Sequence, residues 1–226
     1  MSNVVICSAF RNATSYIDRY MAQVDALSTL LAKRGDYLSL ILGYGDSTDN
    51  TGERLFEAST LSIGARLIDV SHGGPDFGSV VDAQRFRQLA YVGNKILSNV
   101  PSDADVVIWL ESDLIWTPET LARLIYHKLP VVAPMVIDRR SGGFYDTWAF
   151  VKDGVNFTKH YSYHRGLLGV VGITEMDSVG SCVVMAGNVA KGLTIPEADV
   201  LVGACRAVRD NGHKIWLDVG AEVWHP

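Results

Sequence analysis

Glu111 and Asp113 stand two residues apart at the end of an apolar run, Asp105-Val-Val-Ile-Trp-Leu-Glu111-Ser-Asp113-Leu-Ile-Trp116. Residues at this spacing on an extended chain point to the same side. Two carboxylates so placed repel each other unless a cation lies between them or one takes up a proton. The chemistry this pattern suits is the holding of a divalent metal and, through it, a diphosphate. His225, in Glu222-Val-Trp-His225-Pro226, adds an imidazole, and imidazole with carboxylate suits Mn²⁺ or a similar ion. Arg85 and Arg87 precede the carboxylates, and a guanidinium matches phosphate oxygens well. Tyr145, Asp146 and Trp148 follow the turn Asp138-Arg-Arg-Ser-Gly-Gly143. They form a candidate acceptor platform, since sugars and bases both stack on aromatic faces.

These residues need elements to hold them. Val106 to Leu110 reads as a fully buried strand, being short, uninterrupted and rich in β-branched and aromatic residues. Strands are also predicted at Val4 to Ser8, Tyr37 to Leu42, Ala65 to Val70 and from Pro130. Helical spacing covers Ser15 to Lys33, and further helices are predicted from about Gly52, over Val81 to Leu97, and from Thr117-Pro118 to about His127. Thr at N-cap and Pro at the first helical position start the last of these. Alternating strands and helices argue for a mostly parallel sheet covered on both faces. In such a sheet ligands bind outside the carboxyl ends of the strands. Ser8, Arg11 and Asn12 end the first strand on that edge, and Tyr44-Gly-Asp46-Ser-Thr-Asp49-Asn-Thr51 ends the second. Beyond about residue 130 the pattern is less regular. Val179 to Met185 reads as a strand and Asp199 to Asn211 as a helix, with short strands at Ile215 to Asp218 and Glu222 to Trp224. His160, Tyr161, Tyr163 and His164 extend the aromatic acceptor surface, while Arg139, Arg140, Lys159 and Arg165 could meet an anionic acceptor.

At 226 residues, with 48% hydrophobic and 20% charged residues, the chain suits one domain with a sizeable core. A formal charge of −5 gives no support for a broad nucleic-acid or membrane footprint. The start lacks the basic n-region of a signal peptide, and no apolar stretch is long enough to span a bilayer. Cys7, Cys182 and Cys205 are odd in number without C-x-x-C spacing, which points to a reducing, cytoplasmic setting. Neither G-x-G-x-x-G after the first strand nor G-x-x-x-x-G-K-[ST] occurs, so a dinucleotide fingerprint and a Walker loop are both excluded.

The order of motifs resembles the GT-A glycosyltransferases, nearest to family 2 and related mannosyltransferase-type enzymes: a polar turn Asp46-Ser47-Thr48-Asp49, a strand ending Glu111-Ser112-Asp113, an aromatic loop, an acidic helix start, and a late histidine. The resemblance implies one Rossmann-like α/β domain over residues 1–226, with a nucleotide-sugar-binding half to about 130 and an acceptor and metal-completing half after it. It implies a donor site of Ser8, Arg11, Asp46, Arg85, Glu111, Ser112 and Asp113. Asp46 would bind base or ribose, Glu111 would lie near ribose or sugar, and Asp113 would ligate Mn²⁺ or Mg²⁺ with His225 completing the shell. Glu197-Ala198-Asp199 resembles the family's Glu-Asp segment, so Asp199 or Glu197 would be the base of an inverting enzyme; the intervening Ala198 departs from the pattern. The partners implied are a nucleoside diphosphate sugar and an acceptor hydroxyl on a glycan or small molecule, with no membrane anchor. Anchorless viral enzymes of this kind that glycosylate modified DNA bases form an alternative. A nucleotidyltransferase would also use strand-end carboxylates, but Ser8-Ala-Phe-Arg-Asn12 lacks the glycines of its phosphate loop. A non-catalytic binding protein on the same scaffold would be expected to have lost the carboxylates.

Overall fold

The computed structural model describes residues 1–61, 63–78, 80–157 and 172–226. The expectations for Lys159, His160, Tyr161, Tyr163, His164 and Arg165 therefore lie outside the described residues. An eight-stranded sheet forms the centre, built from β1 (Asn3–Phe10), β2 (Tyr37–Tyr44), β3 (Ala65–Asp69), β4 (Val106–Leu110), β5 (Val131–Asp138), β8 (Ile173–Met176), β9 (Cys182–Ala186) and β10 (Ile215–His225). Their order across it is β3-β2-β1-β4-β9-β5-β10-β8, and a separate hairpin joins β6 (Val151–Lys152) to β7 (Val155–Asn156). The helices are α1 (Ile17–Ala32), α2 (Thr51–Leu61), α3 (Ala83–Leu97), α4 (Pro118–Tyr126), α5 (Gly187–Lys191) and α6 (Val200–Asp210).

Central strands are buried on both faces, as their unbroken apolar sequences require. Val4 to Cys7 and Val107 to Ile108 have no exposed surface. Asp82 caps α3 by accepting from the amides of Gln84 and Arg85, and Thr117 caps α4 by accepting from that of Thr120. Each cap satisfies amides that have no partner within the helix.

Most neighbours run parallel, as expected, but β9 lies antiparallel to both β4 and β5. Its first residue, Cys182, pairs with Leu110, the last of β4. The amino end of β9 therefore meets the carboxyl ends of the parallel strands. The two short strands expected at the end of the chain are one strand, β10, interrupted by a bulge between Asp218 and Glu222. Beyond the bulge the strand continues beside β5, pairing His225 with Asp138. One sheet edge thus gathers the ends of β1, β2, β4, β5 and β10 with the start of β9.

Candidate active site

The chain leaves β4 at Leu110 and turns through Ser112 and Asp113. Two contacts fix this turn: the Glu111 amide donates to the Ser181 carbonyl (2.9 Å), and Ile115 exchanges backbone hydrogen bonds of 2.8 Å with Trp224. The second contact ties the turn to the far end of β10. Its consequence is that Asp113 Oδ2 and His225 Nε2 meet at 3.0 Å. The Tyr145 ring stacks on His225, with centroids 3.7 Å apart and planes inclined by 10°. Burial works against the imidazolium, but the hydrogen bond and charge of Asp113 outweigh it and raise the His225 pKa.

Glu111 is half-buried. Burial, then the charges of Asp146 and Asp113, push its carboxyl up to about 8, against a smaller opposing hydrogen bond from Ser181. Glu111 therefore carries a proton at neutral pH, one of the two ways a close carboxylate pair avoids repulsion. Asp146 is raised as well, mainly by burial. Its oxygens accept from the Ala149 amide (2.9 Å) and the Ser181 hydroxyl (3.0 Å). A Cβ at Gly180 would lie 2.5 Å from Asp146 Oδ2 and 2.6 Å from the Ala149 Cβ, so this junction requires glycine.

The other expected donor residues divide. Ser112 is buried at the turn, facing Tyr16. Ser8 does not reach the site: it is fully buried, and its hydroxyl is shared between Tyr20 and the Leu110 carbonyl, each at 2.6 Å. Being inside the sheet, it braces β1 against β4. Arg11 donates to the carbonyls of Asp46, Gly74 and Pro75. The Asp46 carboxylate accepts from the amides of His72 (2.8 Å) and Gly73 (3.2 Å); these bonds, His72 first, hold its pKa below the usual range against opposing burial. Together Arg11 and Asp46 clamp the loop after β3. The turn they hold lines an open cleft of about 450 Å³ with Tyr44, Ser47, Asp49 and Asn50. Arg85 donates to the Val80 carbonyl at the start of α3.

On the acceptor side, Trp148 is 39% exposed and packs against Phe86, with centroids 5.3 Å apart and planes tilted by 38°. Glu197 is exposed, and Asp199 pairs with Arg206 at 2.6 Å. Sequence reasoning missed Ser181 and Arg19, whose guanidinium donates to the Asp113 carbonyl at 2.6 Å. The dipeptide Gly180-Ser181 before an apolar strand was a signal for the first, but only with the strand's direction known. For the second, the signal was a cation between Tyr16 and Tyr20 on the apolar side of α1.

No family model and no curated protein matches the sequence. Solved structures do. The chain superposes on residues 1–349 of TarS from S. aureus with a TM-score of 0.59 at 11% identity, covering 99% of this chain and 60% of that one. On the mannosyltransferase PcManGT from Pyrobaculum calidifontis, in complex with GDP-Man and Mn²⁺, the TM-score is 0.62 at 12% identity, covering 98% and 56%. On GalNAc-T7 with UDP, GalNAc and Mn²⁺ it is 0.55 at 12%, covering 99% and 43%. This chain thus has the GT-A fold of nucleotide-sugar glycosyltransferases, and it spans 60% or less of the length of these three neighbours.

Proposed function

We propose that this protein is a metal-dependent glycosyltransferase that moves a sugar from a nucleoside diphosphate sugar to an acceptor hydroxyl. The observation that carries this reading is the convergence of Asp113 and His225 at the carboxyl edge of a GT-A sheet. A carboxylate oxygen and an imidazole nitrogen 3.0 Å apart fit Mn²⁺ or Mg²⁺ as donors. Among the described residues no group of three or more His, Cys, Asp or Glu side chains is placed to hold an ion. Asp113 and His225 would be the donors that this protein offers the ion. When bound, the ion neutralises charge developing on the leaving diphosphate.

The chain's own residues do the remaining work. Tyr145 holds the His225 ring in plane, and Ile115 and Trp224 keep the two donors in register. The cleft beside Asp46 takes the nucleoside, with Arg11 and Asp46 fixing its wall. Trp148 offers the acceptor its exposed face. In inverting chemistry Glu197 or Asp199 removes the acceptor proton, and Asp199 does so only by giving up its pairing with Arg206. No helix among the described residues is long and apolar enough to cross a membrane.

The test is a thermal-shift panel of UDP- and GDP-sugars with and without Mn²⁺, on wild type and Asp113→Ala. Ligand at about a hundred times its Kd adds about 2.7 kcal/mol. That raises Tm by about 5–11 °C in a domain of this size. Wild type should show this shift only with Mn²⁺, and Asp113→Ala should lose it while its ligand-free Tm stays close to wild type. An Asp113→Ala protein that keeps the full Mn²⁺-dependent shift would refute the assignment.

A further inference from the structure

The carboxylate turn is held from a side that the proposed chemistry leaves unused. Three polar residues occupy one face at the start of α1, and their 3- and 4-residue spacing aligns them. The Tyr16 hydroxyl faces the Ser112 side chain. The Arg19 guanidinium donates to the Asp113 carbonyl at 2.6 Å. The Gln23 amide donates to the Trp116 carbonyl. Ser112, Asp113 and Trp116, three of the five residues of this stretch, are therefore contacted from the start of one helix.

Stability alone does not account for this contact. Arg19 Nε, Gln23 Oε1 and Trp116 Nε1 are buried there without a hydrogen-bond partner among the described residues. Such atoms carry a desolvation cost that an apolar interface would avoid, and buried polar atoms without a partner are rare. What the polar contact supplies is direction. A charged donor on the Asp113 carbonyl fixes that peptide plane and leaves the side chain only its own rotations with which to meet His225.

We infer that Tyr16, Arg19 and Gln23 are positioning residues for the carboxylate turn, and that Arg19 sets the orientation in which Asp113 is presented to metal and diphosphate. The inference rests on the reading of Asp113 as the metal residue, and it extends the site to a helix that contributes no ligand of its own.

The test uses Arg19→Met and Arg19→Lys in the full chain. Mn²⁺ is titrated against hydrolysis of the UDP- or GDP-sugar that wild type cleaves, and hydrogen exchange of the 111–116 segment is followed without ligand. Loss of one charge-assisted hydrogen bond should raise the half-saturating Mn²⁺ concentration of Arg19→Met about tenfold or more. The donor KM at saturating Mn²⁺ should stay unchanged, exchange of 111–116 should quicken, and Tm should hold. Lysine, which can still donate to the carbonyl, should recover most of the Mn²⁺ response. An unchanged Mn²⁺ requirement in Arg19→Met overturns the inference, as does a fallen Tm with no rescue by lysine. A wild-type protein without Mn²⁺-dependent hydrolysis refutes the functional reading instead. Exchange then still decides the brace, because an unchanged 111–116 segment in Arg19→Met would remove it.

Discussion

Asp218→Asn is the substitution whose cost the structure specifies most fully. Asp218 has no exposed surface, yet it is charged. Its carboxylate accepts from Arg123 Nε (2.6 Å) and a terminal guanidinium nitrogen (3.0 Å), lies 2.7 Å from His127 Nε2, and accepts from the Gly220 amide (2.9 Å). Removing one member of a buried ion pair costs about 3–5 kcal/mol. Here Arg123 is 42% exposed and His127 22%, so both stay hydrated after the loss, which brings the cost to about 2–3 kcal/mol. At about 2–4 °C per kcal/mol for a domain of this size, Tm at neutral pH should fall by about 4–12 °C. The pH dependence has a fixed sign. Burial alone pushes the Asp218 carboxyl up, but the hydrogen bonds from Arg123 and His127 outweigh it and hold the pKa below the usual range. Its stabilisation is therefore complete above the unfolded value of about 3.9 and is lost as pH falls through the lower folded value. Thermal melts from neutral to acid pH should show wild type and Asp218→Asn converging only below that point. A neutral-pH Tm within about 1 °C of wild type, or a deficit undiminished in acid, would refute the reasoning. Because Asp218 anchors the bulge through Gly220, the variant should also weaken the Mn²⁺ response that depends on His225, further along β10.

Glu111→Gln should act in the opposite sense. The folded pKa of Glu111 is raised to about 8, so wild type loses stability as pH rises from the unfolded value of about 4.3 through that point; the glutamine variant should match wild type in mild acid and melt higher near pH 8, and a variant melting lower at pH 8 would show that the carboxyl is stabilised in its charged form. Trp148→Ala should lower transfer by about two- to tenfold, the worth of one stacking contact, while donor hydrolysis persists. Equal loss of both rates, or a fall in Tm large enough to explain them, would place Trp148 in the core instead of at the acceptor.

The parallel part of the fold was legible because its signals are local. Val106 to Leu110 was bounded to the residue, and Thr117-Pro118 starts a helix by chemistry that acts within one turn. Strand direction is not local. An apolar run such as Cys182–Ala186 reads the same whichever way it enters the sheet, so nothing in it announced that β9 runs against its neighbours. The bulge in β10 was hidden for a related reason. Asp218-Val-Gly-Ala221 looks like a turn between two strands, and the pairing of Asp218 with Arg123 on α4 and His127 at its C-cap makes a buried charge tenable there.

The candidate site divides along the same line. Asp46, Glu111, Asp113 and His225 each lie at or just past the carboxyl end of a parallel strand, and parallel topology alone delivers such residues to one edge. Knowing the order of elements was enough to bring Asp113 and His225 together. Asp146, Ser181 and Arg19 reach the edge by other routes: a loop folded back on itself, the start of an antiparallel strand, and the side of a helix. Their roles follow from contacts spanning 35 residues between Ser181 and Asp146 and 94 between Arg19 and Asp113, a range over which spacing carries no periodic signal. Ser8 failed by the same logic. It sits on a strand of the correct edge but two residues short of the strand's end at Phe10, and inside a sheet covered on both faces that displacement turns an expected ligand into a brace between β1 and β4.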